Sequence, residues 1–156
     1  MRSKIEKIII SIGIPILVGS IAGFLVKDSR ELFEAMNKPS FAPPGFIFPI
    51  VWTILYVLMG VATYLVISSD ASQKEIKKAL LVYGIQLAFN FGWSFIFFGQ
   101  EWYLVAFIWL VILWIFIILT IIAFYQISKP AAYLMIPYLL WVTFAGVLNF
   151  AIYLLN

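Results

Sequence analysis

Five stretches of this chain contain no charged residue: Ile8–Val26, Pro39–Ser69, Ala79–Gln100, Trp102–Ser128 and Pro130–Asn156. Each is long enough to supply the roughly 20 residues with which a helix crosses a ~30 Å hydrocarbon core. The ten Lys and Arg and the seven Asp and Glu are confined to positions 2–7, 27–38, 70–78, 101 and 129, the ends and connections of those stretches. With 65% hydrophobic and 11% charged residues, a soluble domain is excluded. The stretches are too long for barrel strands, and in lipid a helix satisfies its own backbone. The fold class that follows is an all-α integral membrane protein. It is one domain over residues 1–156, a bundle of five transmembrane helices with spans at about 8–26, 46–68, 79–99, 103–127 and 131–154.

The same distribution narrows the chemistry. Pumps and ion-coupled carriers keep an ionisable side chain within the membrane, and no stretch holds one. Cys and His are both absent, which removes disulfides, thiol chemistry, ordinary zinc sites and the common His or Cys ligands of haem. No metal site is expected. The net charge of +3 belongs to flanking Lys and Arg and does not mark a nucleic-acid surface. What remains for function is aromatic rings, amides, hydroxyls and backbone.

Arg2, Lys4 and Lys7 followed by an apolar run resemble a secretion signal, with Ser20-Ile21-Ala22 as a loose cleavage site. The run is longer than a usual signal core, and Pro15, Gly19 and Gly23 read as packing features, so a retained first helix is expected. Five spans put the termini on opposite sides. Arg2, Lys4, Lys7, Lys74, Lys77, Lys78 and Lys129 then share one face, against Lys27, Arg30 and Lys38 on the other. The positive-inside bias places the N-terminus in the cytoplasm and Asn156 outside.

The connections are tight at Glu101 and at Ser128-Lys129-Pro130, which makes the joined helices antiparallel neighbours. The first connection, 27–45, is different. Asp28 and Glu31 read as a capping pair opening a short helix with Leu32, Phe33 and Met36 on one face. A proline-stiffened strip follows, Lys38-Pro39-Ser40-Phe41-Ala42-Pro43-Pro44-Gly45. Phe33, Pro39, Pro43 and Pro44 then belong either to a loop resting on the bundle's end or to a lid over a cavity.

Within the spans, polar and large aromatic residues recur at helical spacing. Trp52, Tyr56, Met59, Gly60 and Thr63 form one stripe; Gln86, Asn90, Trp93 and Ser94 a second; Trp141, Ala145, Leu148 and Asn149 a third. Amides and hydroxyls facing lipid would forfeit hydrogen bonds, so the stripes are expected to face inward. Gln86, Asn90 and Asn149 fit ties between helices, at about 0.6–2 kcal/mol each. Trp52, Trp93 and Trp141, which share stripes with polar or small residues, fit either core packing or the flat walls of a cavity for a large planar ligand. Trp102, Tyr103 and Tyr153 read as interfacial anchors, and Trp109 and Trp114 as lipid-facing. Gly19-Ser20-Ile21-Ala22-Gly23 is a close-approach motif between helices, within the chain or between copies.

Several segments together resemble the TspO/MBR family, the tryptophan-rich sensory proteins related to the mitochondrial translocator protein. They are Lys38-Pro39-Ser40, Pro43-Pro44, Phe48-Pro49-Ile50-Val51-Trp52-Thr53-Ile54-Leu55-Tyr56 and Met59-Gly60, then Gln86-Leu87-Ala88-Phe89-Asn90 with Trp93 and Phe97-Phe98. Pro137-Tyr138, Trp141, Phe144-Ala145 and Leu148-Asn149 complete the set. The likeness runs in order along nearly the whole chain. It implies a five-helix bundle, often a homodimer, in a bacterial cell membrane, with a pocket closed by the first loop. It implies binding of porphyrins such as protoporphyrin IX and of isoquinoline carboxamides, and light- and oxygen-dependent porphyrin degradation with no added cofactor. By motif match Trp52 and Trp141 would be the reactive indoles, and Phe48, Tyr56, Asn90, Trp93, Ala145 and Leu148 would complete the ligand site. Two departures stand out. Leu32-Phe33 replaces an aromatic pair that is common in the family. No basic residue follows Tyr153, so the cholesterol pattern of animal members is missing. Passive transport of porphyrins or other lipophiles, and a non-catalytic regulatory role, are the alternatives the residues leave open.

Overall fold

The computed structural model describes residues 3–156. Arg2, counted above among the N-terminal cations, lies outside the described residues. The helices are α1 (Lys4–Leu25), α2 (Ser29–Ala35), α3 (Ile47–Ile67), α4 (Gln73–Ser94), α5 (Tyr103–Ile127), α6 (Lys129–Leu134) and α7 (Ile136–Leu155). One π-helical turn, Phe95–Gly99, continues α4. Among the described residues, five helical units are long and apolar enough to cross a membrane, the fourth being α5 and the fifth α6 with α7.

Caps, rather than hydropathy, set several helix ends. Ser3 and Ser72 accept from the amides of Glu6 and Glu75 at 3.1 and 3.2 Å. These caps start α1 and α4 a turn or more before their apolar runs begin, so the lysines of both first turns lie on helix beyond the apolar part. The last span is divided. Pro137 has no N–H to give the Tyr133 carbonyl, so α6 ends at Leu134, Met135 forms the break and α7 sets off afresh. The expected capping pair at Asp28 is corrected. Asp28 occupies the N-cap of α2, but its side chain makes no capping hydrogen bond. Its backbone (φ −84°, ψ 5°) belongs to the turn leaving α1, where Ser29 N–H donates to Val26 O at 2.9 Å. A side-chain cap needs an extended residue at that position.

The spans close into a ring: α1 packs on α3, α3 on α6, α6 and α7 on α5, α5 on α4, and α4 on α1. The core runs down the axis through Met59, Ala62 and Val66 of α3, Leu113 and Ile117 of α5, and Tyr138 and Val142 of α7. The outer faces carry Ile9, Leu17 and Phe24 of α1 and Ile108, Ile115 and Ile122 of α5 toward the bilayer. Helices α1 and α3 come close at Gly60. A Cβ there would lie 2.5 Å from Ile12 Cα and 2.9 Å from the Ser11 carbonyl oxygen, so α1 and α3 touch backbone to backbone. The Gly19–Gly23 pair plays a different part: a Cβ on Gly19 would run into the Tyr56 ring, and one on Gly23 would meet nothing.

Two aromatic expectations are revised. Trp109 is packed between helices, with its ring 4.6 Å from Phe89 and its indole N–H donating to the Phe89 carbonyl at 2.7 Å. Gly92 makes room for it, since a Cβ there would come within 2.8 Å of the indole. Tyr103 lies tilted against Phe97, ring centres 5.0 Å apart at 55°, in the cluster with Phe33 and Leu148, whereas Trp102 and Tyr153 are exposed near helix ends.

Adding a methyl group at Gly60 forces α1 and α3 apart. Gly60→Ala is expected to lose about 1–3 kcal/mol, the usual cost of overpacking, read as a lowered Tm in detergent. Gly13→Ala, where a Cβ meets nothing within 4 Å, should leave Tm unchanged or raised.

Candidate functional site

A cavity of about 470 Å³ opens within the lid-side half of the bundle, inside the ~300–1,000 Å³ range of ligand sites. Its walls come from α1, α2, α3, α4 with the π-turn, and α7; α5 and α6 contribute nothing. The floor is polar. Tyr56 OH donates to Asn90 Oδ1 at 2.7 Å, Asn90 Nδ2 donates to Tyr138 OH at 2.8 Å, and Tyr138 OH donates to Gln86 Oε1 at 2.6 Å. This ladder ties α3, α4 and α7 and leaves Asn90 with one N–H and one lone pair beside the cavity. A second tie stands higher up. Trp93 Nε1 donates to Asn149 Oδ1 at 3.1 Å, and Asn149 Nδ2 donates to the Tyr103 carbonyl at 2.9 Å.

The walls are aromatic. Trp52 stacks on Tyr56 (5.6 Å, 27°) and stands edge-on to Tyr138 (6.1 Å, 70°). Trp93 stacks on Phe97 (5.0 Å, 26°). The π-turn produces this second wall: its wider winding, with Gln100 N–H reaching Phe95 O at 2.9 Å, turns Phe97 and Phe98 to the same side as Trp93. Gly19, Gly23 and Ala145 have no bulk to fill the space between.

The first connection roofs this space. Phe33 of α2 is 3% exposed and meets Phe48 edge-on at 4.9 Å. Lys38 curls back on α2, its ammonium bonding the carbonyls of Phe33 and Glu34 at 2.8 and 3.1 Å and lying 5.1 Å from the Phe33 ring centre. It thereby caps the negative end of the short helix. Gly45 N–H donates to Glu34 Oε1 at 3.3 Å. Asn37 and Asn156 clasp the roof to the end of α7, Asn156 Nδ2 donating to the Asn37 carbonyl at 2.9 Å.

Of the expected ligand-binding residues, Phe48, Trp52, Tyr56 and Asn90 lie in the cavity wall, as do Trp93, Ala145 and Leu148. Trp141 does not. It stands behind Phe48, whose ring meets it edge-on at 5.6 Å, and its buried indole N–H has no partner among the described residues. Phe33 reaches the cavity from α2, whereas Pro39, Pro43 and Pro44 lie in the strip between α2 and α3 and are not part of its lining. A larger space of about 930 Å³ beside α2 is an open surface groove past the exposed Trp102, with Glu101 and Asn156 among its lining residues.

A ring of five apolar helices around a roofed aromatic cavity with a hydrogen-bonded amide floor defines a multi-pass membrane protein with an internal aromatic pocket. Residues 11–155 match the family described as TspO/MBR. The chain is 41% identical over 157 residues to the tryptophan-rich protein TspO of Chlorobaculum tepidum, covering 100% of this chain and 99% of that one. It is 39% identical over 154 residues to the tryptophan-rich protein TspO of Archaeoglobus fulgidus, covering 98% and 99%. To the translocator protein of Bos taurus it is 34% identical over 140 residues, covering 86% and 83%. This chain belongs to the TspO/MBR family.

Sequence reasoning missed three contributions. The α1 wall, Ile16 to Val26, has no polar stripe to announce it. Tyr138 was visible only as part of a motif, although it is the hub of the floor and wholly buried. Lys27 and Arg30, read as topological charges, also line the cavity.

The ladder makes a graded prediction. Tyr138→Phe strands Gln86 Oε1 and Asn90 Nδ2 together, whereas Tyr56→Phe strands only Asn90 Oδ1. Lost partners in lipid cost about 0.6–2 kcal/mol each, so thermal unfolding should show the Tyr138 variant losing roughly twice as much as the Tyr56 variant. At the roof, Lys38→Met uncaps α2, and hydrogen exchange should quicken over residues 29–36 while α5 is unchanged.

Proposed function

We propose that this protein is a porphyrin receptor whose cavity takes a planar tetrapyrrole such as protoporphyrin IX, or an isoquinoline carboxamide, against the Trp52 indole and under the Phe33 roof. The observation that carries this is the pairing of flat aromatic walls with very few hydrogen-bonding groups. Such a site rewards a large apolar ring system and fixes its orientation at one edge. Asn90 offers its spare N–H and lone pair at the floor. The loop excludes water, and the stacked rings hold the ligand in one pose.

The same arrangement supports light- and oxygen-dependent degradation of the bound porphyrin. Light supplies the energy and molecular oxygen the oxidant. Trp52 contributes an electron-rich ring at the wall, and Trp141 contributes a second once Phe48 swings aside. The rest of the cavity acts by positioning and by exclusion of bulk water. In this reading the N-terminus is cytoplasmic and the roof lies outside, because Lys4, Lys7, Lys74, Lys77, Lys78 and Lys129 outnumber Lys27, Arg30 and Lys38. The protein works as a homodimer in a bacterial cell membrane.

A second reading, passive transfer of lipophilic molecules, rests on one feature. Four of the exposed members of the cavity wall, Ser20 and Gly23 of α1 with Pro49 and Thr53 of α3, place an opening on the flank between these helices. It therefore faces lipid as well as water.

The test is the absorbance of protoporphyrin IX bound to the protein in lipid nanodiscs, in light and in darkness. Wild type is compared with Trp52→Phe, Trp141→Phe and the double variant. Degradation at this site is expected to bleach the porphyrin only in light and oxygen. Removal of both indoles should slow it by about tenfold or more, roughly 1.4 kcal/mol in barrier, while binding persists. Bleaching no faster than that of free porphyrin leaves a receptor or carrier; absence of binding overturns the porphyrin assignment.

A further inference from the structure

Twenty-five residues line the cavity, and only two of them are charged, Lys27 and Arg30. Both are exposed and both come from the connection between α1 and α3, so they stand at the rim where the cavity meets the interface. No Asp or Glu belongs to the wall. Three acids share this connection: Asp28 and Glu31 stand outside the wall beside the two cations in sequence, and Glu34 is turned to the Gly45 amide on the roof. The Lys27 ammonium lies 5.6 Å from the Phe24 ring centre, free to pivot on a long stem. Between the two cations Ser29 adds a half-buried hydroxyl to the same wall.

A cationic pair at the mouth of an apolar, low-dielectric slot focuses its field along the slot's axis. It favours one kind of guest: an apolar planar body with an anionic group at one end, the body among the rings and the anion at the rim. A neutral body of the same shape loses the rim contact, and a cationic one is repelled. We infer that Lys27 and Arg30 form an anion-recognising rim that makes the cavity selective for carboxylate-bearing ligands over their uncharged analogues. This deepens the proposed receptor role and rests on the same cavity, but not on the ligand being a porphyrin. Arg30 supplies a planar fork suited to a carboxylate and Lys27 a mobile point charge.

An anionic lipid headgroup presents the same chemistry as a ligand carboxylate, so the experiment separates the two. Binding is measured by fluorescence in phosphatidylcholine nanodiscs, with partition into protein-free nanodiscs subtracted. Two matched pairs of probes are used: protoporphyrin IX with its dimethyl ester, and pyrenebutyrate with 1-pyrenebutanol. Wild type is expected to prefer each acid by about tenfold, ~1.4 kcal/mol. Lys27→Gln/Arg30→Gln should lose most of that preference while its affinity for the neutral probes and its Tm stay unchanged. High salt should narrow the wild-type gap, as for exposed charges. Each single variant should fall in between, and serves if the double variant folds poorly.

Equal affinity of wild type for acid and neutral probes overturns the inference, as does a preference that survives in the variants. So does its disappearance when a fifth of the lipid is phosphatidylglycerol, which assigns the rim to headgroups. If both porphyrins bind equally, the rim falls and the porphyrin reading stands. If neither porphyrin binds but pyrenebutyrate is preferred, the porphyrin reading falls and the rim stands.

Discussion

A polar side chain inside a bilayer has no water to fall back on, and this fold is organised around meeting that demand. The ladder from Tyr56 through Asn90 and Tyr138 to Gln86 joins α3, α4 and α7 at the bundle's centre. Helices in lipid gain no hydrophobic drive toward one another, so close packing and such ties must hold them. Each bond is weak, since the separated helices also find partners. Its geometry is not weak: three helices can satisfy these four side chains together in only a narrow range of rotations. The backbone contact at Gly60 sets the remaining neighbour, α1, against α3.

The cavity is a by-product of the same solution. Above the ladder, the ring of helices is filled with flat rings and small residues in place of interdigitating aliphatics. Stacked pairs such as Trp52 with Tyr56 and Trp93 with Phe97 are flush with the wall, and flush walls do not mesh across a gap. Below the ladder, Met59, Ala62, Val66, Leu113 and Ile117 do mesh, and that half is solid. The division between empty and filled halves follows the division between aromatic and aliphatic side chains.

The architecture was legible because a charge in hydrocarbon is costly: five uncharged stretches admit five helices. The inward stripes were legible for the same reason, since amides avoid lipid. Ends were less so. Ser3 and Ser72 extend helices into water, where hydropathy says nothing, and Pro137 divides a span that an apolar count reads as one. Trp109 misled because an indole among aliphatic residues looks lipid-facing; the notch for it is Gly92, on another helix. Trp141 shares its stripe with the wall residues Ala145 and Leu148, yet a ring from elsewhere, Phe48, stands before it. Periodicity reports which side of a helix a residue occupies. It does not report what a neighbouring helix places in front of it.

The order in which the walls lie along the chain has a consequence for biogenesis. α1, α3 and α4 leave the ribosome well before α7, which brings Tyr138, Ala145 and Asn149 to the cavity. Until then Gln86 Oε1, Asn90 Nδ2 and the Trp93 indole N–H face the bilayer or the insertion machinery without their native partners. The nascent four-span intermediate is therefore an amphiphile with a sticky inner seam. The seam stays without its native partners until the last span arrives and seals it.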